Sequence, residues 1–112
     1  MIGSDSESWG QLTGLINRGT CDKIILVRIP GSEAYESPVE ARELILDSAK
    51  PLGELKKELL EKLRPLLSEF EACLSIASGT GKEHMALISA LLSIPVGIRL
   101  TAFTKSGVEF IN

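Results

Sequence analysis

No apolar run in this chain reaches the roughly 18 residues needed to cross a bilayer. No secretory signal pattern is visible either, so a cytoplasmic protein with no membrane partner is expected. Positive charge is not in excess: 12 Lys and Arg stand against 15 Asp and Glu, a net of -3. Bulk DNA binding is therefore not expected, and any nucleic-acid-like ligand needs a local positive site. Cysteine is scarce. Cys21 and Cys73 lack metal-ligand spacing and read as buried thiols in a reducing compartment, with no metal and no cofactor implied. Two phosphate-binding signatures are missing as well. A Walker A loop would need Gly where Ile76 stands and Ser or Thr where Glu83 stands. A dinucleotide fingerprint would need a third Gly where His84 stands.

What remains is a chain of 112 residues, 44% hydrophobic, with no internal repeat and no low-complexity linker. That length suits one domain with one core and leaves no room for a separate effector domain. Ser8 and Gln11 read as a capping box opening a helix over Trp9–Arg18 that stops at Gly19. Gly10 and Gly14 share a face of it and would admit close packing. Lys23–Ile29 is a short, β-branched, nearly continuous apolar run, the pattern of a central parallel strand covered on both sides. Ser37-Pro38-Val39-Glu40 carries the marks of a helix start, predicting a helix to about Ala49. The competing reading makes Glu43–Asp47 a strand.

Leu52–Leu67 has leucines at helical spacing and lysine–glutamate pairs opposite, with Pro65 kinking or shortening its last turn. A strand over Ala72–Ala77 follows. Next comes a helix over Lys82–Leu92, apolar almost all round and so buried or in a subunit interface. Gly97–Phe103, the turn Thr104–Gly107 and Val108–Ile111 form a β-hairpin. Helices alternating with strands predict an α/β fold, a small Rossmann-like three-layer sandwich whose sheet is mainly parallel and ends in a hairpin. Met1–Ser6 resembles the loop after a first strand, although that strand is almost absent. Either the chain lacks a full first strand or its start lies upstream.

The segment Leu74–Leu87 carries the functional signal: a buried strand, a small-residue turn, then an apolar helix. Such a turn leaves backbone N–H groups unpaired near the positive end of a helix dipole, where anions bind. Lys82 adds a full charge there. The plain alternative is a tight connection in which Gly79 and Gly81 only supply unusual backbone angles. Arg28–Ser32 follows the earlier strand, on the same sheet edge. Lys82 could stabilise developing charge and His84, the single histidine, could act as acid or base. Equally, His84 could be merely packed and Lys82 solvated. Arg28 either reaches the same edge or pairs with a nearby Glu, and Glu83 reads as a first-turn acid. Trp9 and Tyr35 either stack on a base or serve the core or its rim.

The stretch Ser78-Gly79-Thr80-Gly81-Lys82-Glu83-His84-Met85 resembles the small-Gly-Gly-x-basic-x-Met pattern of CARF domains (CRISPR-associated Rossmann-fold). Here the second Gly is displaced, and two residues separate Lys82 from Met85. The helix Trp9–Arg18 leading into Lys23–Ile29 is similar to the family's first helix and second strand. The resemblance implies a cytoplasmic homodimer that binds a cyclic oligoadenylate, the second messenger of type III CRISPR antiviral defence, across its two-fold. By position, Gly79, Thr80, Gly81 and Lys82, with Ser78 before them, would hold phosphate and ribose. Gly3, Ser4, Asp5 and Ser6 would lie across the pocket, with Arg28 on the same edge. Some standalone members are ring nucleases that cleave the messenger, and a metal-independent cleavage would fall to candidates Lys82, His84 and Ser4. The reading from a different class is an unrelated small nucleotide-binding or assembly α/β domain.

Overall fold

The computed structural model describes residues 1–19, 21, 23–67 and 71–112. It is an α/β fold with three α-helices and two sheets among those residues: α1 (Trp9–Arg18), β1 (Ile25–Arg28), β2 (Arg42–Ile45), α2 (Leu52–Leu63), β3 (Glu71–Leu74), α3 (Gly81–Leu92), β4 (Gly97–Thr104) and β5 (Gly107–Phe110). One sheet is the parallel pair β1–β2, with Ile25 opposite Arg42. The other is mixed: β3 is parallel to β4, and β4 is antiparallel to β5.

The predicted first strand is reduced to a bridge. Ile2 donates its N–H to the Val27 carbonyl at 2.7 Å and accepts from Ile29 N–H at 3.1 Å. On the other side the Met1 ammonium donates to the Ser75 carbonyl at 3.1 Å. Residues Met1–Gly3 thus lie between β1 and β3, joining the two sheets edge to edge. Alternation along this stub sends its side chains to opposite faces. Ile2 packs with Leu12, Leu26 and Tyr35 on the α1 side. Met1 packs with Val27, Leu46, Leu74, Leu87 and Leu91 on the α2–α3 side.

Leu55, Leu59 and Leu63 place one face of α2 in that larger core, at the i, i+4 spacing of a helix. Opposite them Glu58 bridges Lys50 at 3.0 Å and Lys62 at 2.8 Å. The helix stops at Leu63 rather than Leu67. Pro65 has no N–H to continue the ladder, and its ring would strike the carbonyl four residues back. A Cβ on Gly14 would lie 2.6 Å from the Phe103 ring, so α1 approaches β4 through that glycine, whereas Gly10 faces open space.

Several sequence expectations are corrected. The helix predicted from Ser37 to Ala49 is absent, and the competing strand forms as β2. The Ser37 hydroxyl turns to the Val39 carbonyl instead of capping a helix. The open edge of β1 then recruits Arg42–Ile45, because a paired ladder satisfies backbone groups on both strands. The capping box at Ser8 also fails, since the Ser8 hydroxyl donates to the Asp5 carbonyl. The strand expected over Ala72–Ala77 runs from Glu71 to Leu74. Cys21 and Cys73 are exposed rather than buried. Nor is α3 buried all round: Met85 is 59% exposed and Leu92 73%.

Candidate functional site

Two loops meet where β1 and β3 end. The first is Gly3–Ser8, a turn that tightens into a 3-10 helix at Ser6–Ser8 before α1. The second is Ser75–Thr80, leading into α3. Gly3 and Gly79 approach so closely that a Cβ on Gly3 would lie 2.5 Å from Gly79 N. Gly79 itself has φ +101°, a conformation that disfavours side chains, and a Cβ there would lie 2.8 Å from Met1 Sδ. A third turn at Gly31, φ +96°, comes in from β1, and a Cβ there would meet Ser4 Cβ at 2.5 Å. Glycine at these crossings is what lets the loops converge.

Hydrogen bonds then lock the junction. Ser78 is fully buried; its Oγ accepts from Gly3 N–H at 2.8 Å and donates to Asp5 Oδ1 at 2.6 Å. Asp5 Oδ1 also accepts from Gly79 N–H at 3.0 Å. Donation from Ser78 and from the Gly79 N–H holds the Asp5 carboxyl down from 3.8 to about 2. Both bonds fall on Oδ1, and the Ser8 side chain adds a smaller share of the lowering. Asp5 is therefore an internal anion. It fills one of the loop's N–H donors, a place the sequence reading reserved for a ligand's phosphate.

The other donors stay open. Helix α3 starts after Thr80 with no side-chain cap, so the first-turn N–H groups at Gly81, Lys82 and Glu83 are unmet by the described residues. Thr80, Gly81 and Lys82 are exposed, as are Ser4 and Ser6. Glu83 is buried, 5% exposed, and its Oε2 has no partner among the described residues. It stands in the first turn of α3, as the sequence predicts. The described residues contain no cluster of His, Cys, Asp and Glu able to hold a metal.

The basic candidates do not converge on the loop. Lys82 Nζ donates to the Ser48 carbonyl at 2.8 Å. Arg28 donates to the Ser32 carbonyl at 2.9 Å and to Glu43 at 2.8 Å, with its guanidinium 5.7 Å from the Tyr35 ring centre. The pairing reading of Arg28 is the one observed. His84 Nε2 lies 2.7 Å from the Ser78 carbonyl, which fastens α3 to its own entry loop. Trp9 and Tyr35 meet edge to face at 5.6 Å, and the Trp9 indole donates to the Gly3 carbonyl at 2.9 Å. Tyr35 is buried and Trp9 half-buried, so both stand behind the Gly3 loop as support. Among the described residues, then, Gly3, Ser4, Asp5, Ser78 and Gly79 form one unit, Thr80–Lys82 border it, and Arg28 is held by its own neighbours. Arg28–Ser32 does lie on this edge as the sequence predicts, and within it Gly31, not named as a site residue, supplies the turn that meets Ser4.

No family model, no curated protein and no solved structure matches this chain. No helix among the described residues is long and apolar enough to cross a membrane.

Proposed function

We propose that the chain is a Rossmann-like domain of the CARF type that binds a cyclic oligoadenylate across the two-fold of a homodimer. The observation that carries this reading is the place where the Gly3–Ser8 and Ser75–Thr80 loops meet. With Met1–Gly3 counted as a vestigial strand, the order across the two sheets is β2, β1, Met1–Gly3, β3, β4, β5. That is the order of a doubly wound sheet, whose ligands sit at the carboxyl ends of the strands, at the switch point between first and fourth. The loop junction occupies that point.

Phosphate would sit on the open N–H groups that begin α3, and Asp5 Oδ2 would accept from a ribose hydroxyl. We favour binding without cleavage. His84 is tied to Ser78, Lys82 to Ser48, and the Asp5 carboxyl is too acidic for a good general base at neutral pH. The test is incubation with cyclic tetra- and hexa-adenylate, followed by chromatography and a binding isotherm for wild type and Lys82→Ala. An intact ring retained by the protein, with affinity reduced in Lys82→Ala, fits the proposal. Linear product would reassign the chain as a ring nuclease. Retention of mononucleotides alone would point to an unrelated nucleotide-binding domain.

A further inference from the structure

Helix α3 opens with Thr80-Gly81-Lys82-Glu83, the spacing of a capping box. In that motif the glutamate reaches back to the N–H of the capping residue, and the capping hydroxyl meets the N–H three residues on. Thr80 has the extended backbone of a cap, φ -121° and ψ 168°, yet neither bond is made. Glu83 Oε2 is buried and has no partner among the described residues, on a side chain only 5% exposed. Side chains on a helix lean toward its amino end. This carboxylate therefore leans over the first turn, beside the open N–H groups of Gly81 and Lys82.

A carboxylate left bare in such a place costs stability, because nothing offsets its desolvation. A metal ion does not fit, since the described residues hold no group of three His, Cys, Asp or Glu. The nearby lysines are engaged elsewhere: Lys82 is held at the Ser48 carbonyl and Lys50 at Glu58. An ionised carboxyl only accepts hydrogen bonds, so its missing partner is a donor. That donor comes with the anion that the first-turn N–H groups bind. We propose that Glu83 is the specificity residue of the α3 entry, admitting oxyanions that carry an O–H beside the charge and rejecting those that carry none.

A bare oxyanion on those N–H groups faces Glu83 charge against charge, and a buried charge is weakly screened. An anion with an adjacent hydroxyl replaces that repulsion with an O–H···O⁻ bond of the short, charge-assisted kind. Selection thus works through rejection of the wrong anion as well as attraction of the right one. Two sources supply the required arrangement. In a ribose ring linked 3′ to 5′, each phosphate lies next to a free 2′-hydroxyl; for this ligand the inference rests on the function proposed above. Inorganic hydrogen phosphate carries its own P–OH, whereas sulfate at neutral pH has no proton to give.

Titrations of the wild type and of Glu83→Gln at pH 7 separate these sources. Cyclic tetra- and hexa-adenylate are each compared with the all-2′-deoxy ring, and phosphate with sulfate, following the Gly81 amide by NMR. The wild type should bind a ribose ring about tenfold or more tightly than its deoxy counterpart, and phosphate in preference to sulfate. Glu83→Gln removes the charge at nearly constant shape; it should bring the two rings at least about threefold closer and admit sulfate. Glu83→Ala should do the same, which keeps the test open if one variant misfolds. Where a ring binds, equal affinity for its ribose and deoxy forms overturns the proposal while leaving the ring site standing. A ribose preference that both variants leave unchanged places the selection on Asp5 and overturns it too. Where neither ring binds, the ring site itself fails and the inorganic anions decide. Phosphate and sulfate bound alike by the wild type, or neither bound, then overturns the role of Glu83.

Discussion

Replacing Asp5 by alanine should unlock the loop junction, and its effect can be sized from the bonds it makes. The carboxylate accepts from the buried Ser78 hydroxyl at 2.6 Å, the short distance of a charge-assisted bond, and from Gly79 N–H at 3.0 Å. A fall of its pKa from 3.8 to about 2 corresponds to about 2.5 kcal/mol if solvent took none of it. The side chain is only half-buried, and screening brings the figure nearer 1–2 kcal/mol, roughly. Asp5→Ala also strands the Ser78 hydroxyl, adding about 1 kcal/mol, for a total of about 2–3 kcal/mol at pH 7. Asp5→Asn keeps an acceptor and should lose only about 1 kcal/mol. The sign with pH follows from the depressed pKa. The stabilisation is complete above 3.8 and drains away as pH falls through about 2. Urea unfolding of the three proteins at pH 7 and pH 2 measures this directly. Penalties for Asp5→Ala that are the same at both pH values would refute the charge-assisted junction, and so would a penalty near zero at pH 7.

Gly3→Ala should be worse tolerated than most glycine substitutions. Its Cβ would lie 2.5 Å from Gly79 N and 2.6 Å from Asp5 Oδ1, so the loops must part. The expected loss is about 3 kcal/mol in thermal or urea unfolding, and Gly53→Ala, which meets open space, serves as control. The buried Met1 amine predicts a slope at higher pH. Its pKa is about 6 folded and 8.0 unfolded, so the folded state disfavours the charged form. Stability is then full above pH 8 and falls as pH drops through 6, by at most about 2.7 kcal/mol. Unfolding at pH 6 and pH 8.5 reads this, and acetylating the amine should remove its contribution to the slope. Lys82→Ala should change stability by less than about 0.5 kcal/mol, because Lys82 is exposed and holds a single carbonyl. A larger loss would make Lys82 a structural residue.

The elements that local pattern dictates were legible from the residues: β1 in its apolar run, α2 in its leucine spacing, the β4–β5 hairpin around its glycine turn. The segment 37–49 was not, because its helix-start signature is local while its strand partner, β1, is distant in sequence. Tertiary pairing overrode the local preference. Exposure of Cys73, Met85 and Leu92 was hidden for a related reason: an apolar residue is buried only if something packs on it. At the site, the turn, its glycines and the front loop were readable, and the structure joins Gly3, Asp5, Ser78 and Gly79 directly. The internal role of Asp5 could not be read, since a loop carboxylate looks alike whether it faces a ligand or a backbone amide 74 positions away.

The central claim is ligand binding at the loop junction. Isothermal titration of the wild-type protein with cyclic tetra-adenylate, and separately with cyclic hexa-adenylate, tests it most directly. One of the two rings should give a saturating isotherm at one ring per two chains, with linear tetra-adenylate markedly weaker. Absence of binding to either ring would contradict the CARF-type reading and leave the junction as a structural lock between Asp5, Ser78 and Gly79.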